Sequence, residues 1–201
     1  MTEEELKSIE MWQERVQLLY DGEKCNGCAL CVQACPKEAL ELNPIGASVK
    51  EDISEPPLKF DKDKCVLCGV CAAICIKKAF KTIINGEERL LIVENEGLPK
   101  EMEFEGKISV EQEKCPKLCD VCEVLCREDA IKITKEVEID LDKCTYCGAC
   151  ALGCPSSAIT LKRTKIVCKK DPETRIMKRL REKFLGEIKL ENFDKDGEKE
   201  E

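Results

Sequence analysis

Histidine is absent from this 201-residue chain. That excludes every Ser/His or Cys/His nucleophilic pair and leaves thiolates and carboxylates as the side chains able to hold a metal. No apolar run is long enough to cross a bilayer, and the acidic start, "MTEEELKSIE", has none of the features of a secretory signal. A soluble, cytoplasmic chain with no membrane span is expected. No G-x-x-x-x-G-K loop is present to cradle a nucleotide phosphate, so the chain offers no substrate site of its own. Its formal charge of -8 argues against nucleic acid as a partner.

An ordinary hydrophobic core is scarce as well. The apolar share of 43% includes 17 cysteines, and without them roughly a third of the chain is left to build a core. Small domains with thin cores need staples, and a reducing compartment favours metals over disulfides. What the chain has in abundance is closely spaced thiol. The stretch "CNGCALCVQACP", Cys25 to Pro36, carries four cysteines, and neighbours so close on a tight loop rarely reach bridging geometry.

The same unit occurs four times: "YDGEKCNGCALCVQACPKEALEL" from Tyr20, "FDKDKCVLCGVCAAICIKKAFKT" from Phe60, "VEQEKCPKLCDVCEVLCREDAIKI" from Val110 and "IDLDKCTYCGACALGCPSSAITL" from Ile139. In each, an apolar residue and acidic residues lead to Lys-Cys, and an alanine (Ala39, Ala79, Ala130, Ala158) falls four positions after the last cysteine. Each unit reads as a short strand, a cysteine loop, a short helix and a second short strand. One such unit cannot bury its apolar face alone, so the copies should pair. Only 17 residues separate Cys126 from Cys144, against 29 between Cys35 and Cys65 and 39 between Cys75 and Cys115. Units three and four are therefore expected to form one pair, and units one and two the other.

Outside the repeats, "NPIGASVKEDISEPP", 43–57, reads as an irregular loop inserted in the first pair. "TIINGEERLLIV" reads as a hairpin turned at Asn85-Gly86, and 94–106 as a linker. Thr2 with Glu5 resembles a capping box, and Leu6, Ile9, Trp12 and Val16 suggest an amphipathic helix within 1–19. Asp171-Pro172 is expected to start a C-terminal helix striped by Ile176, Leu180 and Phe184 and ended by Gly186, with an acidic tail running to 201. Both flanks should pack on the core or offer a docking face.

The spacing C-x2-C-x2-C-x3-C-P is that of the bacterial ferredoxin run. Units one and four match it in full, ending in Cys35-Pro36 and Cys154-Pro155. Unit two has Ile76 in place of the proline. Unit three has one extra residue between Cys115 and Cys119, and Arg127 where proline would stand. Tetrahedral zinc is the competing reading, but three cysteines at one short interval and a fourth after three more residues, repeated four times, exceed what zinc requires.

On these motifs the chain resembles tandem bacterial-type 2[4Fe–4S] ferredoxins, and over about 20–161 it is similar to the polyferredoxins of methanogenic archaea and similar anaerobes. Those proteins serve formylmethanofuran dehydrogenases and energy-converting hydrogenases. The resemblance implies an α+β fold: two tandem ferredoxin-like domains of short strands and helices, at 20–93 and 107–170, flanked by N- and C-terminal helices. It implies four [4Fe–4S] clusters with an exchange of ligands, three from one run and the fourth from its partner. Cys25, Cys28 and Cys31 would then be joined by Cys75, and Cys65, Cys68 and Cys71 by Cys35. In the second domain Cys115, Cys119 and Cys122 would be joined by Cys154, and Cys144, Cys147 and Cys150 by Cys126.

The implied function is one-electron relay to or from redox partner proteins, as part of a larger oxidoreductase or hydrogenase complex. The electron-transfer subunits of molybdopterin oxidoreductases are a second possibility, although they split one cysteine run and no run is split here. A module whose clusters are only structural is a third. Gly27, Ala29, Gly69, Ala72, Ala73, Gly148, Ala149 and Ala151 are small enough to let backbone N–H groups approach the cluster sulfurs. Cys168, outside every run, reads as an idle thiol. Four oxidised cubane sites would bring the charge to about -16, which suits a partner face carrying Lys or Arg. Anaerobically isolated protein should contain about sixteen iron and sixteen labile sulfide per chain. Stoichiometric zinc with little iron would contradict this reading.

Overall fold

The computed structural model describes residues 3–43 and 57–188. β1 (Glu3–Met11) and β2 (Glu14–Asp21) form an antiparallel hairpin, after which the first cysteine loop leads into α1 (Leu30–Ala34) and β3 (Leu40–Leu42). The second unit repeats the pattern with β4 (Leu58–Phe60), α2 (Val70–Ile74) and β5 (Phe80–Ile84). β6 (Glu87–Glu88) and α3 (Leu91–Glu94) follow. The third unit comprises β7 (Glu103–Val110), a 3-10 turn (Gln112–Lys114), α4 (Val121–Leu125) and β8 (Ile131–Ile133). The fourth comprises β9 (Val137–Ile139), α5 (Ala149–Leu152) and β10 (Ile159–Val167), and the described chain ends with α6 (Arg175–Phe184) and β11 (Gly186–Ile188). Among the described residues no helix is long and apolar enough to cross a membrane.

Units one and two interlock, because the first strand of one pairs with the last strand of the other. β2 runs antiparallel to β5, with Leu18 opposite Thr82 and Tyr20 opposite Phe80, while β3 pairs with β4 through Leu40 and Phe60. Units three and four repeat the arrangement: β7 pairs with β10, Ile108 opposite Leu161, and β8 with β9, Ile131 opposite Ile139. Such exchange gives each three-residue strand a ladder it could not make within its own unit. The buried faces of these strands then meet the short helices, where Leu18, Leu30, Ala34, Val70, Ile74 and Phe80 form the first core.

The N-terminal helix expected within 1–19 is not formed; the segment is the β1–β2 hairpin, turned at Trp12 with φ of 37°. The reason lies in β5, whose edge offers β2 a full ladder while Val16, Leu18 and Tyr20 alternate inward at period two. A helix would have buried Ile9 and Trp12, both of which are exposed. Thr2 lies outside the described residues, and Glu5 accepts hydrogen bonds from Ser8 on its own strand and from Gln17 across the hairpin. β1 and β6 complete a four-stranded sheet in the order β1-β2-β5-β6.

Asn85 and Gly86 do turn a hairpin, at φ of 52° and 87°, although "LIVE" after it forms α3 rather than strand. The stretch expected as a linker, 94–106, is only partly one: Leu98 is buried and β7 begins at Glu103. Most of the loop expected at 43–57, and the tail after Ile188, lie outside the described residues.

α6 forms near its expected place, but starts later and presents a different stripe. Thr174 rather than Asp171 caps it, accepting from the Met177 N–H at 3.2 Å while its hydroxyl donates to the Gly97 carbonyl at 2.8 Å. Met177, Leu180 and Phe184 are buried, whereas Ile176 stays 38% exposed. This helix joins the core of the first domain with Leu30, Ala34 and Ile74, while Phe184 stays edge-on to Phe104 of β7 at 5.8 Å between ring centroids. β11 then returns to pair with β10. The C-terminal segment is thus a strap over both domains. Truncating Phe184 to alanine should cost about 3–5 kcal/mol of stability, read from denaturant unfolding of the anaerobically isolated protein. A change below about 0.5 kcal/mol, the level of an indifferent surface site, would show that the strap does not hold the domains together.

Candidate metal centres

Three of the four cysteine loops share one backbone device. In units one, two and four the residues on both sides of the second cysteine are left-handed: Gly27 (φ 71°) and Ala29 (57°), Leu67 (55°) and Gly69 (73°), Tyr146 (51°) and Gly148 (91°). Successive residues turned this way direct N–H groups into the loop, a concavity suited to anions. The Leu67 N–H reaches the Cys65 sulfur at 3.4 Å, and the N–H groups of Gly27 and Tyr146 act on Cys25 and Cys144 in the same way. The extra residue of unit three changes this. Leu118 is left-handed (67°) and fully exposed, but Asp120 has φ of -116°, so that loop bulges outward and has only half of the device.

The entry to each loop is fixed by an acidic residue paired with the lysine three positions on: Asp21–Lys24 at 2.7 Å, Asp61–Lys64 at 3.3 Å, Glu111–Lys114 at 2.9 Å and Asp140–Lys143 at 3.6 Å. The exit is fixed by the alanine. Ala39, Ala79, Ala130 and Ala158 each donate their N–H to the sulfur four residues back, Cys35, Cys75, Cys126 and Cys154, at 3.2–3.3 Å. Each alanine follows a left-handed residue, Glu38, Lys78, Asp129 or Ser157. Its carbonyl accepts from the partner unit: Asp61 N–H on Ala39, Asp21 on Ala79, Asp140 on Ala130 and Glu111 on Ala158, at 2.8–2.9 Å. One small residue therefore holds the fourth cysteine of its own run and the loop entry of the other. The sequence showed the alanine recurring, but its role depends on strand pairing that the spacing alone does not reveal.

The thiols are brought together in crossed sets. A cleft is lined by Cys35 with Cys65, Cys68 and Cys71, backed by Leu18, Leu40, Phe60 and Val70. Another is lined by Cys154 with Cys115, Cys119 and Cys122, and a third by Cys126 with Cys144, Cys147 and Cys150. In the fourth set, the charge of Cys75 bears on Cys25, Cys28 and Cys31. Cys168 stands apart beside Asp171.

Burial, and then the neighbouring thiols, push Cys28, Cys31, Cys71 and Cys150 well above the ordinary thiol value. The same causes raise Cys122 to about 11. Cys154 lies on the other side of the ordinary value: burial would raise it, but donors from Ser156, Ala158 and Ile159 outweigh burial and lower it. Thiols gathered so densely stay protonated until a cationic centre displaces the protons. The donor set suits a polyatomic cluster. Among the described residues no three cysteine or carboxylate side chains converge closely enough to bind one ion, as tetrahedral zinc with Zn–S bonds of about 2.3 Å would require, and the cavities between the thiols have apolar walls.

Comparison with known proteins agrees with this chemistry. Residues 18–79 match the 4Fe-4S dicluster domain and residues 137–160 the 4Fe-4S binding domain. Over 56 residues the chain is 45% identical to pyruvate synthase subunit PorD of Methanothermobacter marburgensis, covering 28% of this chain and 65% of that protein. Over 45 residues, 22% of the chain, it is 49% identical to a component of the ion-translocating oxidoreductase complex of Methanosarcina acetivorans and 40% identical to the polyferredoxin FwdF of Methanocaldococcus jannaschii. Those stretches are 17% and 13% of the two proteins. The fold is matched, with a TM-score of 0.78 at 21% identity, by a chain of the formate dehydrogenase–heterodisulfide reductase–formylmethanofuran dehydrogenase complex of Methanospirillum hungatei, over 94% of this chain and 92% of that one. Two interlocked pairs of cysteine units and these matches lead to one conclusion: the chain carries a 4Fe-4S dicluster domain over residues 18–79 and a 4Fe-4S binding domain over residues 137–160.

Proposed function

We propose that the chain is an electron carrier with four [4Fe–4S] clusters, one in each crossed set of cysteines, relaying single electrons for a larger oxidoreductase complex. Bound there, each cluster supplies a one-electron couple, and the protein supplies spacing, insulation and hydrogen bonds. Cys25, Cys28, Cys31 and Cys75 would hold the first site, and Cys65, Cys68, Cys71 and Cys35 the second. Cys115, Cys119, Cys122 and Cys154 would hold the third, and Cys144, Cys147, Cys150 and Cys126 the fourth.

The observation that carries this reading is that the sites adjoin one another in a line. Cys71 of the second site bears on Cys31 of the first, Cys147 of the fourth on Cys28 of the first, and Cys122 of the third on Cys150 of the fourth. The order is second, first, fourth, third. Both ends meet the surface: Cys68 and Val66 are exposed at the second site and Leu118 at the third. Such a line suits electrons entering at one end and leaving at the other. Partners belonging to a multi-component oxidoreductase fit the relatives, which include a pyruvate synthase subunit, a component of an oxidoreductase complex and a polyferredoxin.

Redox titration followed by electron paramagnetic resonance tests the relay. All four clusters should reduce reversibly, with magnetic coupling between neighbours. Cys35→Ala should convert the second site to a three-iron or lost cluster while sparing the site of Cys25, Cys28 and Cys31. Loss of the latter instead, or four uncoupled signals in the unaltered protein, would mean that each run binds its own cluster and no relay is built.

A further inference from the structure

Among the described residues Arg163 is the largest side chain wholly enclosed by the protein, at 1% exposure on β10. Its Nε donates to the Tyr146 carbonyl at 2.9 Å and its Nη2 to the Cys147 carbonyl, so the guanidinium grips the fourth cysteine loop from behind. Its carbon centre lies 4.8 Å from the centroid of the Phe104 ring. Nη1 is buried without a hydrogen-bond acceptor, and among the described residues no carboxylate pairs with the group. The space is reserved for it: a side chain at Gly148 would lie 3.2 Å from Nη2 and 2.7 Å from Ile188.

A cation enclosed without a counter-ion costs several kcal/mol. Burial lowers Arg163 to about 10, and the charges that oppose this are those of Cys28 and Cys147, one from each domain. Asn26, itself 3% exposed in the first domain, points its Nδ2 at the Cys147 sulfur of the second, 3.6 Å away. A cation and an amide donor therefore sit where the two inner sites meet, and the anions that would balance them are the thiolates and cluster sulfurs of those sites.

We propose that Arg163, assisted by Asn26, is the positioning residue of the junction between the two domains, holding the first and fourth clusters side by side and raising their reduction potentials above those of the outer pair. This rests on the four-cluster reading above. A fixed positive charge beside a cluster favours the reduced, more negative state, and burial keeps that charge from being screened. The relay would then have its electron well in the middle. Electrons would collect at the inner sites and leave through the outer ones when a partner docks.

The test uses the full-length protein, prepared anaerobically, with Arg163→Gln to remove the charge, Arg163→Lys to keep it and Asn26→Ala to remove the amide. Iron content and redox-titrated electron paramagnetic resonance are read on each, the outer clusters being identified by the signals lost in Cys35→Ala and Cys154→Ala. Arg163→Gln should lower the reduction equilibrium constants of the inner two clusters at least tenfold, about 59 mV for a one-electron couple, leave the outer two unmoved and weaken the coupling between the inner pair. Arg163→Lys should restore most of the shift, and Asn26→Ala should lower the fourth site alone, severalfold. Four bound clusters with unmoved inner potentials in Arg163→Gln would overturn the proposal. If Arg163→Gln fails to assemble, an Asn26→Ala protein with four bound clusters and an unmoved fourth-site potential would overturn it equally. A wild-type protein that itself binds fewer than four clusters would instead defeat the reading beneath it.

Discussion

The structure depends on the alanine that follows each cysteine run. Its N–H holds the last sulfur of its own run, and its carbonyl accepts from the first turn of the paired run. Because the bonds are reciprocal, neither unit of a pair can settle its cysteines before the other is in place. A hydrogen bond is worth only about 0.5–1.5 kcal/mol net, so four such latches do not explain the stability. They set the register: a slip of one residue in β3–β4 or β8–β9 would reverse the faces of strands only three residues long. Register in turn decides which thiols share a cavity.

From this follows a division of labour along the chain. The latches build two equivalent domains, while the contacts that differ between the repeats build one molecule from them. α6 carries Met177, Leu180 and Phe184 from the second domain into the core of the first. Lys77, nearly buried, pairs with Glu128 across the same boundary, at the mouth of the cavity holding Cys126. Arg127, standing where a proline would end the third run, bears as a cation on Cys25 of the first. These contacts, unlike the extra residue of the third loop at Leu118, lie at the junction, where four copies of one unit need not be alike.

The cysteines and the pairing of units were legible in the sequence because both are local: ligand spacing is fixed by one loop, and a 17-residue gap leaves little choice of partner for unit four. The turn at Asn85-Gly86 was legible for the same reason, since both residues take the left-handed conformation it needs. The first twenty residues were not. Leu6, Ile9 and Trp12 have helical spacing, and only the open edge of β5, some sixty residues away in sequence, gives the strand reading its advantage. Ile176 and Met177 exchanged roles because the helix is set by Thr174 and not by Asp171. Arg163, in "TLKRTKIV", looked like any charged strand residue, and its burial arises from tertiary packing alone.

Whether the thiols that share a cavity share a cluster is the central claim, and diffraction from anaerobically grown crystals at the iron absorption edge measures it directly. Four iron centres are expected, each among three cysteines of one run and the fourth of its partner, as Cys35 with Cys65, Cys68 and Cys71. Iron placed among Cys25, Cys28, Cys31 and Cys35, with each run closed on itself, would contradict it.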